Sequence, residues 1–213
     1  MSDLSAPATT VSSVRVDVWS DFVCPFCFIG SLRLEQLASK QPIDVVWHAF
    51  MLRPPGSPGM TAEKRARIAA FEPTLRTQMQ NEFGLEIERG PLGAQTFAAH
   101  HAMKHAERGG HGAEFHDAVL RAYWLKGEDI GDAAVLRKLG AAFDLEFTDD
   151  LLAGREPVTS EAVRTDIAQA AAYNIHGVPA LIFGNRYFVS GAQPLELLGR
   201  AADAARAAPV ALH

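Results

Sequence analysis

Hydrophobic and polar residues alternate from Val14 to Trp19 (VRVDVW), a pattern typical of a half-buried strand. From Phe26 to Ala38 the apolar residues recur instead at helical spacing. Pro25 suits the first turn of that helix, where a missing N–H costs nothing. The run IDVVWHAF, Ile43 to Phe50, predicts a second strand, which we expect to be buried. The chain therefore begins with a strand, a helix and a strand.

A long helical segment is predicted after a loop rich in proline and glycine, RPPGSPGM. The first predicted helix covers Thr61 to Phe83, with a break or kink at Pro73 and a stop at Gly84. Two more are predicted over Ala94 to Arg108 and over His111 to Lys126. Asp132 and Thr148 can each cap a further helix, and Ser160 can cap a longer one that runs to about Asn174. This segment contains no strand signal, so it is predicted to be all-helical.

The end of the chain returns to strands. Ala180 to Phe183 and Arg186 to Ser190 flank Gly184-Asn185, which predicts a hairpin with a two-residue turn. Pro194 then opens a last helix. Without the helical segment the order is β-α-β-α-β-β-α. The fold class is therefore α/β, a thioredoxin-like fold interrupted by an all-helical insertion. Residues 12–55 and 160–213 would form the thioredoxin-like domain, and residues 56–159 the inserted helical domain.

Composition excludes some functions more firmly than it suggests others. The 213 residues carry a net charge of −5 and no long basic run, which argues against nucleic acid as the main partner. No apolar stretch approaches the ~20 residues that a membrane-spanning helix needs. The start, MSDLSAPATTVSSVR, lacks the pattern of a secretory signal. We expect a short disordered leader and a cytoplasmic protein that contacts no membrane.

The two cysteines of the chain, Cys24 and Cys27, stand where the first strand gives way to the first helix. Structural disulfides are rare in the cytosol, so such a pair indicates redox catalysis, redox sensing or metal binding. The N-terminus of a helix favours a thiolate, which is the form that attacks disulfides. Cys24 is therefore predicted to attack with a depressed pKa, and Cys27, one turn further in, to resolve the mixed disulfide.

Other interpretations of this region stay open. A CxxC can form half of a zinc site, but zinc usually takes four ligands and no second CxxC exists, so we predict no metal. Trp19 and Phe26, with Phe22 and Phe28, form either an apolar platform for substrate or part of the core. Five histidines of the insertion could line a cleft, bind metal or lie on a solvated helix face, and the last is favoured: His100, His101, His105, His111 and His116. His48 is interpreted as a structural residue.

Five stretches of the chain resemble the DsbA family of thiol oxidoreductases, and more narrowly its FrnE-like branch: SDFVCPFCFIG, QTFAAHHAMKHA, AYWLKGEDIGD, GVPALIF and VSGAQP. The branch is related to 2-hydroxychromene-2-carboxylate isomerases and kappa-class glutathione transferases. The resemblance implies that Cys24 is the nucleophile, Cys27 the resolving thiol and Pro179 a cis-proline. It also implies that Val178 offers its backbone to an extended substrate, and that Gln193 borders a glutathione or peptide site.

The resemblance also sets the partners and an alternative function. It implies disulfide-containing proteins or small thiols as partners, no cofactor beyond glutathione as a co-substrate, and a monomer or homodimer. The alternative is a glutathione-dependent isomerase or transferase. Those relatives typically carry serine at the position of Cys24, so the cysteine favours dithiol exchange. Phe26 and Phe28 stand where the family leads us to expect Trp and Tyr.

Overall fold

The computed structural model of the protein describes residues 12–207. In chain order its elements are β1 (Val14–Ser20), α1 (Pro25–Ala38), β2 (Ile43–Ala49), α2 (Ala62–Phe83), α3 (Phe97–Arg108), α4 (Gly112–Leu125), α5 (Ala133–Ala141), α6 (Asp149–Leu152), α7 (Pro157–Ala172), β3 (Ala180–Phe183), β4 (Tyr187–Ser190) and α8 (Leu195–Ala207). Most of the leader predicted from the sequence, residues 1–11, lies outside the described residues.

The strands form one mixed sheet in the order β2-β1-β3-β4. β1 and β2 run parallel with Val16 opposite Val45, because α1 crosses over between them. β3 runs antiparallel to β1, with Val18 opposite Leu181, and the hairpin adds β4 at the edge. The strand that leads into the cysteines therefore lies in the interior of the sheet.

Helices cover both faces of this sheet, because alternate residues of β1 point to opposite sides. Val16 and Val18 pack with Leu34 of α1 and Leu198 of α8 in one core. On the other face, Trp19 packs with residues that include Ala170 of α7. The sheet is thus the middle of three layers.

A second core lies among the helices between β2 and α7, and α1 belongs to it as well. Phe28, Ile29 and Leu32 of α1 pack with residues of α2 to α5, whereas Leu34 and Leu37 face the sheet. Helix α1 therefore joins the two cores with opposite faces. The limits of the inserted domain, residues 56–159, stay a prediction.

The structure corrects several predicted element boundaries, and α3, for example, begins at Phe97 rather than at Ala94. Helix α7 begins at Pro157, not after Ser160, because Glu156 caps it by accepting from the Thr159 N–H at 2.8 Å. The hairpin turn has three residues rather than two, since Phe183 pairs with Tyr187. The extra residue belongs to the turn, so β4 starts one position later than the sequence predicts.

One further prediction is wrong in degree: β2 lies at the edge of the sheet, so only its last two residues are buried. Helix α2 continues through Pro73 without a break, and it stops as predicted at Gly84, whose φ of 67° is left-handed. The caps at Asp132 and Thr148 are confirmed, since both side chains accept a backbone N–H in the next turn.

Candidate active site

Cys24 is the N-cap of helix α1, with extended backbone angles of φ −86° and ψ 118°. Its own N–H donates to the Asp21 carbonyl at 3.0 Å, which closes the turn that follows β1. The N–H groups of Cys27 and Phe28 donate to the Cys24 carbonyl at 3.1 and 3.2 Å, and Pro25 fills the first helical position. The side chain of Cys24 therefore stands at the positive end of the helix.

The two cysteines lie 3.6 Å apart and are both free thiols. A disulfide bond measures about 2.05 Å, so the structure holds the reduced pair at a distance that a small movement would close. Cys24 is 5% exposed and Cys27 1% exposed. An incoming disulfide would therefore reach Cys24 first.

The surroundings move the pKa values of the two thiols in opposite directions. The hydrogen bond from Cys27 is the main cause that lowers the pKa of Cys24; the backbone N–H groups of Cys27 and Phe26 add to it, and burial opposes it. Burial raises the pKa of Cys27 well above its ordinary value, and the neighbouring Cys24 raises it further. The direction predicted for Cys24 is confirmed, and the thiolate belongs on the sulfur that can attack.

Pro179 brings the start of β3 against these cysteines. The peptide bond between Val178 and Pro179 is cis, as the resemblance implies. The thiol of Cys24 donates to the Val178 carbonyl at 3.5 Å. A β-carbon placed on Gly30 of α1 would lie 3.3 Å from the Pro179 ring, so the proline packs closely on the helix. The Pro179 carbonyl accepts from the Gly191 N–H at 2.8 Å, which ties the loop after β4 to the same place.

The sequence profile of the DSBA-like thioredoxin domain family matches residues 15–203 of the chain. The chain belongs to this family. The predicted thioredoxin-like fold with a helical insertion is confirmed, and the first and last residues matched by the profile lie in β1 and α8.

Solved structures of several DsbA-like proteins and relatives are similar to this one. A probable DsbA oxidoreductase from Streptomyces coelicolor is 26% identical, with a TM-score of 0.79 over 94% of this chain and 93% of that one. A 2-hydroxychromene-2-carboxylate isomerase is 20% identical, with a TM-score of 0.69 over 89% and 95% of the two chains. The cytosolic disulfide reductase DsbM from Pseudomonas aeruginosa, solved with GSH, is 18% identical, with a TM-score of 0.60 over 91% and 96%. The last two show a shared fold only.

The aromatic candidates for substrate binding separate into an exposed and a buried residue. Phe26 is 45% exposed, and its ring centroid lies 5.6 Å from that of Phe71 on α2. Trp19 is 1% exposed; its indole N–H donates to the Asp166 carbonyl at 3.0 Å and its ring stacks on His48. β1 turns the Trp19 side chain toward α7, and its role toward a substrate stays a prediction.

Val178 lies next to Cys24 through its carbonyl, and Gln193 lies in the loop after β4. Val178 is half-buried, and within residues 12–207 its N–H donates to no backbone carbonyl. Gln193 lies in the loop that Gly191 ties to Pro179, and its amide donates to the Ser190 carbonyl at 2.8 Å. Their roles toward a substrate stay predictions.

Three of the five histidines of the helical segment are buried, which contradicts a solvated helix face for them. His100, His101 and His116 are at most 2% exposed. The ring of Phe22, from the turn after β1, lies between those of His100 and His116, with centroid distances of 4.8 and 5.2 Å. No group of three or more His, Cys, Asp or Glu residues within residues 12–207 could hold a metal ion.

The sequence did not predict the polar cluster that lies beside Cys27. The Asp21 N–H donates to the Cys27 sulfur at 3.4 Å, and a carboxylate oxygen of Asp21 lies 3.6 Å from Nε2 of His100. The Ser20 hydroxyl lies 3.4 Å from Nε2 of His116. In the sequence, only the Ser20-Asp21 pair at the end of a buried strand points to this cluster. The histidines that complete the cluster are distant along the chain.

A second polar network joins the sheet to helices α3 and α7. His48 bonds Asp17 at 2.8 Å and Asp166 at 2.7 Å, one carboxylate at each ring nitrogen. The ammonium of Lys104 lies 2.8 Å from Asp166. All four side chains are at least nine-tenths buried, so this network agrees with the structural role expected for His48.

Proposed function

We propose that the protein is a dithiol–disulfide oxidoreductase that works through the CPFC motif, Cys24 to Cys27. One observation carries this proposal: two free sulfurs at the start of α1, 3.6 Å apart, whose pKa values are shifted in opposite directions. A lowered pKa provides the attacking thiolate, and a raised pKa keeps the second thiol protonated until it is needed. Membership of the DsbA-like family supports the same chemistry.

The reaction needs these two residues and a disulfide partner. The Cys24 thiolate attacks one sulfur of the partner, forms a mixed disulfide and releases the other sulfur as a thiolate. The Cys27 thiol loses its proton and attacks Cys24, so that the intramolecular bridge forms and the second partner thiolate leaves. Two electrons pass to the partner, whose two thiolates take up the protons that the cysteines lost. The reverse sequence would oxidise a dithiol partner.

The partners are disulfide-containing proteins or small thiols. The N–H of Val178 donates to no backbone carbonyl in the described part of the chain, which supports pairing with an extended substrate chain. Exposed Phe26 supports apolar contact next to Cys24. Glutathione as a co-substrate is also proposed; a structural relative, DsbM, was solved with GSH.

Insulin reduction tests the proposal. The reduced protein should cleave insulin disulfides at the expense of dithiothreitol, and Cys24→Ser should abolish that activity because no thiolate remains to attack. Cys27→Ser serves as the control, since it keeps the nucleophile but cannot resolve; it should accumulate a mixed disulfide that mass spectrometry detects. Full activity of Cys24→Ser would end the proposal.

The alternative is a glutathione-dependent isomerase or transferase. The similarity in fold to the 2-hydroxychromene-2-carboxylate isomerase supports it. Glutathione supplied together with a chromene carboxylate should give no turnover if dithiol exchange is the activity. Turnover that survives Cys27→Ala would favour the alternative, because conjugation needs no resolving thiol.

We also propose that the protein works in the cytoplasm, either as a monomer or as a homodimer. The cytosolic description of DsbM agrees with this compartment. No helix within residues 12–207 is long and apolar enough to cross a membrane. Cell fractionation and light scattering would test location and oligomeric state.

A further inference from the structure

A cavity of about 180 Å³ lies between the turn that carries the cysteines and the helical segment, and its lining includes both chain neighbours of Cys24 but not Cys24 itself. Val23 and Pro25, the two neighbours of Cys24 along the chain, line one side of it. Helix α2 contributes Phe71, and helix α4 contributes Tyr123 and Trp124. The exchange between Cys24 and Cys27 itself does not need this space.

The walls of the cavity present apolar rings rather than polar atoms. The Tyr123 hydroxyl donates to the Pro91 carbonyl at 3.1 Å, and the Trp124 indole N–H donates to the Phe22 carbonyl at 2.9 Å. The polar ends of both side chains are therefore occupied elsewhere. An apolar cavity of about 150 Å³ is large enough to bind benzene, so this one accommodates a single aromatic ring.

The rim of the same cavity carries positive charge. Arg53 and Lys64 line it, and neither forms an ion pair with a carboxylate in residues 12–207. Arg53 makes only long hydrogen bonds, to the carbonyls of Gly93 and Pro58 at 3.4 and 3.5 Å. The remaining charged residues of the lining, Glu72 and Arg89, neutralise each other in an ion pair of 3.1 Å. The rim is thus left with two unbalanced cations on a chain whose net charge is −5.

We propose that this cavity binds a single aromatic ring that carries a carboxylate, and that the preferred small-molecule substrates of Cys24 are disulfides of such aromatic acids. The inference rests on the proposed function. The Cys24 thiolate forms a mixed disulfide with one aromatic thiol and releases the other as a thiolate. Cys27 then displaces the first ring from Cys24, so two aromatic thiols leave and one protein disulfide forms. The ring lies against Trp124, and its carboxylate lies near Arg53 and Lys64.

Paired reaction rates test this inference. Reduced protein is mixed with dithiobis(nitrobenzoate), an anionic aromatic disulfide, and separately with the neutral dithiodipyridine. Replacing both Arg53→Gln and Lys64→Gln should lower the ratio of the anionic to the neutral rate about tenfold, the size expected from removing two partly solvated charge contacts. Arg67→Gln combined with Lys126→Gln is the matched control: it also removes one arginine and one lysine charge, from exposed residues that do not line the cavity. An equal ratio in the two double variants would overturn the inference.

Binding without thiol chemistry gives a second, independent measurement. Benzoate is titrated into Cys24→Ser protein and followed by the amide NMR signals of Gly93 and Ala94, which line the cavity. Benzoate should bind about tenfold more tightly than its neutral analogue benzamide, and Ala94→Phe, which fills the cavity, should abolish binding. Equal affinity for benzoate and benzamide would overturn the inference.

The outcomes separate the two proposals. If neither disulfide oxidises the wild-type cysteines, the proposed function fails and this inference fails with it. If the neutral disulfide reacts but the charge variants leave the ratio unchanged, only the aromatic acid site is refuted.

Discussion

The ring of Pro179 lies 3.3 Å from the point where a β-carbon would stand on Gly30. Gly30 is in the second turn of α1, so the absence of a side chain there lets the residues before β3 approach the helix that carries the cysteines. The same approach brings the Val178 carbonyl within 3.5 Å of the Cys24 sulfur. Gly30 therefore sets the spacing between the nucleophile and the backbone proposed to hold the substrate.

We expect Gly30→Ala to slow disulfide exchange several-fold while it changes stability little. The added methyl group would push Pro179 away by a few tenths of an ångström, and misplacement by ~1 Å can cost about a hundredfold in rate. Alanine in a helix gains about 1 kcal/mol over glycine, which offsets the strain of the contact. Stopped-flow rates and thermal unfolding measure the two effects.

Gly199→Ala provides the control for this prediction. Gly199 lies in α8, where a β-carbon would meet its nearest neighbours at 3.7 and 3.9 Å, an ordinary contact distance. The variant gains the same helix propensity far from the cysteines, so its exchange rate should match the wild type. Equal rates for Gly30→Ala and Gly199→Ala would refute the role of the close contact.

Removing Cys27 should raise the pKa of Cys24. The hydrogen bond from Cys27 is the largest cause of the lowered pKa, so Cys27→Ala loses it, whereas Cys27→Ser keeps a donor in the same place. The rate of iodoacetamide alkylation as a function of pH reports the thiolate fraction. The midpoint should be highest in Cys27→Ala, and coincident midpoints in the two variants would assign the lowered pKa to the helix terminus instead.

Local patterns predicted most of the elements that carry the cysteines. The alternation of VRVDVW, the proline at the first helical position and the glycine that ends α2 each act through backbone geometry within a few residues. Ser160 failed as a cap because Pro157, three residues earlier, suits the first helical turn and Glu156 caps it. Competing local signals of this kind are resolved only by the folded chain.

The polar surroundings of the cysteines could not be predicted in the same way. His100 and His116 are buried because their helices pack against the end of β1 and the turn that follows it, in contacts between residues 78 and 96 positions apart. Their own helix patterns do not contain that information. Trp19 likewise points to α7 because of its place in the sheet. The sequence alone does not decide whether its side chain belongs to an apolar platform for substrate or to the core.

The network around His48 should stabilise the fold most strongly in mildly acidic solution. The pKa of His48 is raised: burial opposes the rise, but hydrogen bonds to Asp166 and Asp17 outweigh it. The contribution of His48 to the free energy of unfolding is therefore complete below about pH 6.5 and is lost as the pH rises through the raised pKa. Burial also opposes the shift of Asp17, yet His48 and Arg15 lower its pKa to about 2, so that contribution is lost only in strong acid. The pKa of Asp166 is also lowered from its ordinary value.

The destabilisation caused by His48→Gln should therefore be largest between about pH 4 and 6.5, at about 3 kcal/mol, the cost of breaking a buried ion pair. Urea unfolding across the pH range measures it. Asp203→Asn, which breaks the exposed pair with Arg206 on α8, is the control and should cost less than about 1 kcal/mol. A loss from His48→Gln that does not depend on pH would show that His48 acts through packing rather than through charge.

His116 should have the opposite effect on stability. Burial lowers its pKa well below the ordinary value, and nearby His100 adds to the shift. The native protein therefore keeps His116 neutral, while the unfolded chain binds a proton below about pH 6.5, so stability falls as the pH decreases, by up to about 1.4 kcal/mol per pH unit. His116→Phe removes the proton site and keeps a ring to stack on Trp47, whose centroid lies 3.7 Å away. We expect this variant to lose that part of the acid slope.

The wild type, unfolded over the same pH range, is the reference for this slope. The comparison also separates His116 from His48, since the two residues drive stability in opposite directions over the same pH range. If His116→Phe and the wild type unfold with the same pH dependence, His116 is protonated as readily in the folded chain as in the unfolded one. Its burial beside Ser20 would then have to be relieved by an opening of α4 that admits water.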